Sequence, residues 1–345
     1  MRPPSPGTPR HHDSFLSRNG DVLRLATIAV LIFAVMGLLR PQLFLTGTNF
    51  SSMAFQFPEF AILSLAMMLA MLTGGIDLSI IAVMNLSAIL GGMFLASTGL
   101  EPALAIPITI AIMLATGLVC GAINGFLMSR IDIPPILATL GTSQVFLGTG
   151  IVLTGGAAVH GFPDAFAAIG TARIVGIPLP LVVFAAIALV VAFALGRTTY
   201  GFGLYMFGTN ARAARFAGLD TPRLMMTTYM ASATLAAVAG VIIMARVNSI
   251  RADFGASYLL LTILVAVLGG VNPYGGYGKV LGVVLAVVSL QFISSGLNML
   301  RFSNFTREFV WGALLLLVMI LSSGPVTHAM QRLRRRRSRH ERSPE

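Results

Sequence analysis

Charge is what this chain has least of. Asp, Glu, Lys and Arg make up 10% of its 345 residues, against about 25% in an ordinary soluble domain. A sequence so poor in charge cannot clothe a water-exposed surface. With 56% hydrophobic residues, a mean hydropathy of +0.86 and repeated apolar runs of about 18–25 residues, it reads as an all-α, polytopic membrane protein. Acids are scarce, 12 in all, and only Asp77 stands well inside an apolar stretch, with Glu59 near the end of another. No histidine lies mid-span; His160 falls in a loop, and His11 and His12 sit in a polar tail rather than in a metal-ligand pattern. HExxH, GxSxG and Cys–His metal spacings are all missing, as is any paired-carboxylate or nucleophile–base arrangement, so intramembrane hydrolysis is excluded. The single cysteine, Cys120, has no intrachain partner and is read as a small buried apolar residue.

A nucleotide-binding loop is lacking too. Gly275-Gly276-Tyr277-Gly278-Lys279-Val280 echoes the phosphate loop, but Pro273 and Val280 stand where the pattern GxxxxGK[ST] needs Gly and Ser or Thr. The chain carries no motor and no cofactor of its own. Its net charge of +11 would suggest nucleic acid in a soluble protein; here the basic residues flank apolar runs, and nucleic acid is rejected as a partner.

What is present is a set of ten expected spans, near 22–39, 52–73, 77–97, 103–128, 134–154, 177–195, 224–244, 257–271, 280–299 and 307–323. They form one permease-like domain over 22–323, between an N-terminal tail (1–21) and a basic C-terminal tail (324–345). The eighth span is short and ends at Gly269 and Gly270, which predicts a broken or re-entrant segment. The first apolar run has no small-residue cleavage site near Arg40-Pro41, so it is read as a retained helix. With ten crossings and the N-terminus in the cytoplasm, most of the 23 Lys and Arg lie inside; Arg40, Arg173, Arg246, Arg251, Arg301 and Arg307 lie outside. Both termini are then cytoplasmic, and Arg332 to Arg342 form a juxtamembrane polybasic run suited to anionic lipid.

Two features could carry function. The first is the break Thr73-Gly74-Gly75-Ile76-Asp77-Leu78 between uncharged runs. An Asp at the centre of a membrane helix costs about 2.5–3.5 kcal/mol, and irregular backbone at that depth is tolerated only when buried in protein or lining a cavity. Asp77 suits the N-cap of the third span; direct solute contact and cation coupling are the alternatives. The second is the loop 197–223. There Asn210 is an expected N-cap, Ala211 to Ala217 a short helix, and Gly218 its stop. With Ala213, Ala214 and Ala217 on its sides, this helix suits docking into a partner's groove, or lies as an interfacial helix serving topology alone. Asn85, Asn124 and Asn298 are scattered polar groups inside apolar runs, read chiefly as helix–helix contacts.

Taken in order, Leu72-Thr73-Gly74-Gly75-Ile76-Asp77-Leu78-Ser79, Gly121-Ala122-Ile123-Asn124-Gly125, Ile133-Pro134-Pro135 through Thr142, Leu153-Thr154-Gly155-Gly156, Thr199-Tyr200-Gly201 leading to Gly208–Gly218, Leu268-Gly269-Gly270 with Gly275-Gly276, and Gly296-Leu297-Asn298 resemble the permease subunits of bacterial ABC importers of the ribose and related monosaccharide class. The resemblance covers about residues 45–323. It implies a type II importer-like fold in the bacterial inner membrane and a second permease subunit, identical or not. It further implies a separate ABC subunit that binds ATP and a periplasmic sugar-binding protein. It places Gly208, Asn210, Ala213, Ala214, Arg215 and Gly218 in a coupling helix that docks on the ATPase. The pathway is expected to involve Gly74, Gly75, Asp77, Ser79, Asn85, Asn124, Gly269, Gly270 and Asn298. A stand-alone carrier or channel, with Asp77 binding a coupling cation, is the alternative.

Overall fold

A computed structural model describes residues 20–322. The two tails, with His11, His12 and the Arg332–Arg342 run, lie outside the described residues. Each of the ten expected spans has its helix. They are α1 (Gly20–Leu39), α3 (Gly47–Leu72), α4 (Ile80–Ser97), α5 (Pro102–Ser129), α6 (Pro135–Thr154), α8 (Leu179–Arg197), α11 (Thr221–Val247), α12 (Tyr258–Leu268), α13 (Val280–Met299) and α14 (Asn304–Ser322). The shorter helices are α2 (Pro41–Phe44), α7 (Asp164–Thr171), α9 (Thr199–Thr209) and α10 (Ala211–Phe216). By length and composition, α1, α3, α4, α5, α6, α8, α11 and α13 can each cross a membrane.

Helix limits follow local chemistry. Thr46 caps α3 by accepting the Asn49 N–H, and Asp220 caps α11 by accepting the Arg223 N–H at 3.0 Å. Proline opens α5, α6 and α8 within their first two positions, where the missing N–H costs nothing. Gly155 ends α6 in a left-handed conformation. Two-residue strands β1 (Val159–His160) and β4 (Ser249–Ile250) pair antiparallel, and β2 (Arg173–Ile174) pairs with β3 (Ile177–Pro178).

Burial sorts the helices into an inner set and an outer one. The most apolar window of α3 is 83% buried, whereas those of α1 and α8 are 17% and 22% buried. A helix so apolar that stays exposed needs lipid or another subunit around it. The closest internal seam joins α5 to α11. Gly117, Gly121 and Gly125 form one face of α5, and a Cβ at Gly121 would come within 2.6 Å of the Met230 Cα and the Tyr229 carbonyl oxygen. Where lipid is as apolar as leucine, such contact between backbones is what holds two helices together.

The eighth span settles the expectation of a broken segment. Its helix, α12, is 11 residues long, about 16 Å at the helical rise and too short for a hydrocarbon core of about 30 Å. The loop 269–279 completes it. The Asn272 N–H donates to the Tyr277 carbonyl at 2.9 Å and its amide to the Gly275 carbonyl at 3.0 Å, and the Gly276 N–H reaches the Leu72 carbonyl at 3.1 Å. The segment therefore runs through the bundle as a short helix finished by a folded loop, and α13 leads back.

Candidate functional site: the Asp77 break and the α10 junction

Asp77, Ser79, Asn124, Thr142 and Ser232 come together in the interior, each at most 8% exposed. One Asp77 carboxylate oxygen accepts the Ser79 N–H at 2.9 Å and the Ser79 hydroxyl at 2.6 Å. The Asn124 amide donates to that hydroxyl at 2.7 Å, and the Thr142 hydroxyl donates to the Asn124 carbonyl oxygen at 2.6 Å. The second carboxylate oxygen faces the Ser232 hydroxyl at 3.4 Å. Thr139 binds the break itself: its hydroxyl accepts the Leu78 N–H at 3.1 Å and lies 3.1 Å from the Ile76 carbonyl. Ser79 and Ser232 thus touch the carboxylate directly, and Asn124 of α5 and Thr142 of α6 extend the same chain of hydrogen bonds. The N-cap of α4 is Ser79, not Asp77; Asp77 braces the turn before it. Ser232 lies about 16 Å along α11 from its start at Thr221, so the carboxylate sits deep in the bundle.

Gly74 has φ +83°, which only glycine adopts freely. A Cβ at Gly75 would press within 2.6 Å of the Pro135 Cβ and the Tyr229 hydroxyl. The break is also the meeting point of two other segments. Gly208 at the end of α9 packs directly on the Leu72 carbonyl and the Gly276 N–H, with no room for a side chain, and Gly275 lies against Gly74 and the Gly208 carbonyl. Three pieces of backbone therefore touch: the end of α3, the end of α9 and the 269–279 loop. Of the two glycines expected in the pathway from the eighth span, Gly269 packs against Val283 of α13, and Gly270 turns the chain at φ +81°.

Directly beyond Gly208, Asn210 caps α10 by accepting the Ala213 N–H at 3.0 Å, and Gly218 follows at φ +81°. Ala213 and Arg215 are exposed, whereas Ala214 is fully buried and faces the chain's own helices. Phe216, 93% exposed, is the large apolar group that α10 displays; sequence reading passed over it because one phenylalanine in an apolar chain carries no signal. Sequence alone leaves 199–209 in a loop; the structure makes it α9, which Thr198 caps by accepting the Gly201 N–H at 3.3 Å. Asn85 belongs to a different contact. Its amide donates to the Ala252 and Phe254 carbonyls at 2.8 and 2.9 Å, pinning the segment after β4. Asn298 is exposed and apart from the Asp77 cluster.

At the end of the bundle away from α10, Glu59 is 1% exposed and pairs with Arg246 through two hydrogen bonds of 3.0 and 2.8 Å, while the Tyr258 hydroxyl donates to it at 3.0 Å.

Residues 49–319 match the family of branched-chain amino acid transport system permease components. The chain is 33% identical over 313 residues to the autoinducer 2 import system permease protein LsrD of Yersinia enterocolitica, covering 88% of this chain and 92% of the relative. It is 32% identical to LsrD of Salmonella typhi (86% and 90%) and to LsrD of Yersinia pseudotuberculosis (93% and 97%). No solved structure matches this chain significantly. The chain belongs to this permease family: it is the multi-pass membrane subunit of an ABC importer of the monosaccharide type, not itself an enzyme, and works with an ATPase carried on another subunit.

Proposed function

We propose that this subunit moves a monosaccharide or similarly polyhydroxylated solute across a bacterial inner membrane by alternating access, driven through α10 by a separate ATPase and supplied by a periplasmic binding protein. The observation that carries the reading is the backbone junction of Gly208, Leu72 and Gly276. A displacement of α10 acts, with no side chain between, on the end of α3 and on the 269–279 loop. Interiors that close-packed transmit a push rather than absorb it. Phe216, Ala213 and Arg215 give the ATPase its contact, and Asn210 and Gly218 keep the rod short. A second permease subunit covers the exposed apolar faces left on this chain. Among the described residues two carboxylates are buried; the oxygens of Asp77 are taken up by Ser79 and Ser232 and Glu59 is paired with Arg246, which argues against a coupling cation.

The test is uptake of radiolabelled monosaccharides by vesicles containing this chain, its ATPase and its binding protein. Uptake that requires all three and ATP is expected; uptake with ATP or the binding protein omitted would reverse the reading. The relatives' name makes autoinducer 2 the second solute to assay, on their 32–33% identity over most of both chains.

A further inference from the structure

The Glu59 end of the bundle holds a groove that neither the Asp77 cluster nor the α10 junction uses. Two membrane helices face it with polar stripes at helical spacing. Ser52, Gln56 and Glu59 fall on one side of α3, and Gln291, Ser294 and Asn298 on one side of α13. In apolar spans, a run of polar groups along one face marks a surface wetted by water or solute. The groove has a main cavity of about 350 Å³ and a neighbour of about 190 Å³, which share Gln56 and Gln291.

Gln291 is 5% exposed, lines both cavities, and its amide makes no hydrogen bond to another described residue. Its amide keeps access to the space between the stripes and is free to bind water or solute there. The cavity wall also carries charge in balance, Glu59 and Glu308 with Arg246 and Arg307, and one indole, Trp311. A site of about 300 Å³ is at the lower limit for small ligands. Balanced charge disfavours an anion or a cation, while amides, hydroxyls and a bidentate ion pair offer many donors and acceptors to a neutral one.

We propose that this groove is a binding site for a neutral polyhydroxylated solute of monosaccharide size, with Gln291 and Ser294 donating to or accepting from its hydroxyls and Trp311 closing one side. The proposal deepens the transport reading and rests on it for the side of the membrane, since residues 246, 258 and 291–298 fall at the outer ends of their spans.

The experiment uses Ser294→Cys in a Cys120→Ser background, with the full chain in lipid nanodiscs together with its ATPase and without nucleotide. The rate of modification by a charged methanethiosulfonate is measured with D-ribose, D-galactose or xylitol present, and with ribose 5-phosphate as the charged control. At about ten times its half-protecting concentration, at least one neutral probe is expected to slow modification about tenfold, because only the empty fraction reacts; the phosphate ester gives no protection. Gln291→Leu is expected to abolish that protection. Overturning results are equal rates with every neutral probe, protection that survives Gln291→Leu, or a Ser294→Cys that reacts only when a second permease subunit is removed. Because neither ATP nor the binding protein enters, failure here leaves the uptake test of the transport reading standing, and the converse holds.

Discussion

Asn124 donates its amide to the Ser79 hydroxyl at 2.7 Å, so the residue that starts α4 is held from near the C-terminal end of α5. Ser79 can donate one proton, and it gives that proton to Asp77 at 2.6 Å; the direction of the whole chain from Thr142 to Asp77 is thereby set. Hydrogen bonds between membrane helices average about 0.6 kcal/mol and reach about 1.7 kcal/mol. The chain is therefore more a device for fixing the shape of the break than a large store of stability.

Replacing Asp77 separates bracing from ion coupling. Asp77→Asn keeps an oxygen to accept from Ser79, so thermal stability and ATP-driven uptake are expected to change little. Asp77→Ala strands the Ser79 N–H and hydroxyl in a buried site, which costs about 1–3 kcal/mol and lowers the melting temperature in detergent. Loss of uptake in Asp77→Asn at unchanged melting temperature would instead assign the charge a transport role.

The glycine junction predicts an uncoupled transporter. Gly208→Val must force the end of α9 away from the Leu72 carbonyl and Gly276. ATP hydrolysis by the assembled complex should continue while uptake per ATP falls sharply, about tenfold for a loss of 1.4 kcal/mol in coupling. Gly141→Ala on α6 is the control: a Cβ there meets nothing within 4 Å, and the change should leave coupling intact and add about 0.5–1 kcal/mol of stability.

Much of this architecture could be read from the residues. Apolar length gives ten helices in the right places, because lipid forces the backbone to satisfy itself within each segment. The Asn210 cap and the Gly218 stop are local chemistry and are equally readable. What the sequence hides is partnership. Thr139, Thr142 and Ser232 look like any hydroxyl in a membrane helix, since nothing local says that they converge on Asp77. α9 is hidden because Thr199–Thr209 carries three glycines and four aromatics with no stripe of polarity. The groove is only half legible: Ser52, Gln56 and Glu59 match a helix face, but only the fold puts Gln291 and Ser294 opposite.

The Glu59–Arg246 pair gives a stability prediction with a sign that depends on how many partners are removed. Glu59 is buried while the Arg246 side chain is 25% exposed. Arg246→Leu leaves a buried carboxylate with the Tyr258 hydroxyl alone, and should cost about 3–5 kcal/mol at most, less whatever water reaches the arginine. The double variant Glu59→Leu/Arg246→Leu removes both charges and is expected to melt above the single one. A double variant that melts below Arg246→Leu would show that the pair is a source of net stability.

Sidedness is the last prediction, and it constrains every functional statement made of α10. Val175, 96% exposed between β2 and β3, precedes α8, whereas Ala213 follows it; α8 crosses once, so the two positions face opposite sides. Cys120 is 3% exposed and adds little background labelling. In intact cells, an impermeant maleimide should modify Val175→Cys at once and Ala213→Cys only after the membrane is opened. The reverse pattern would put α10 outside, where no ATP is hydrolysed, and would leave the junction of Gly208 with Leu72 without a motor to act on it.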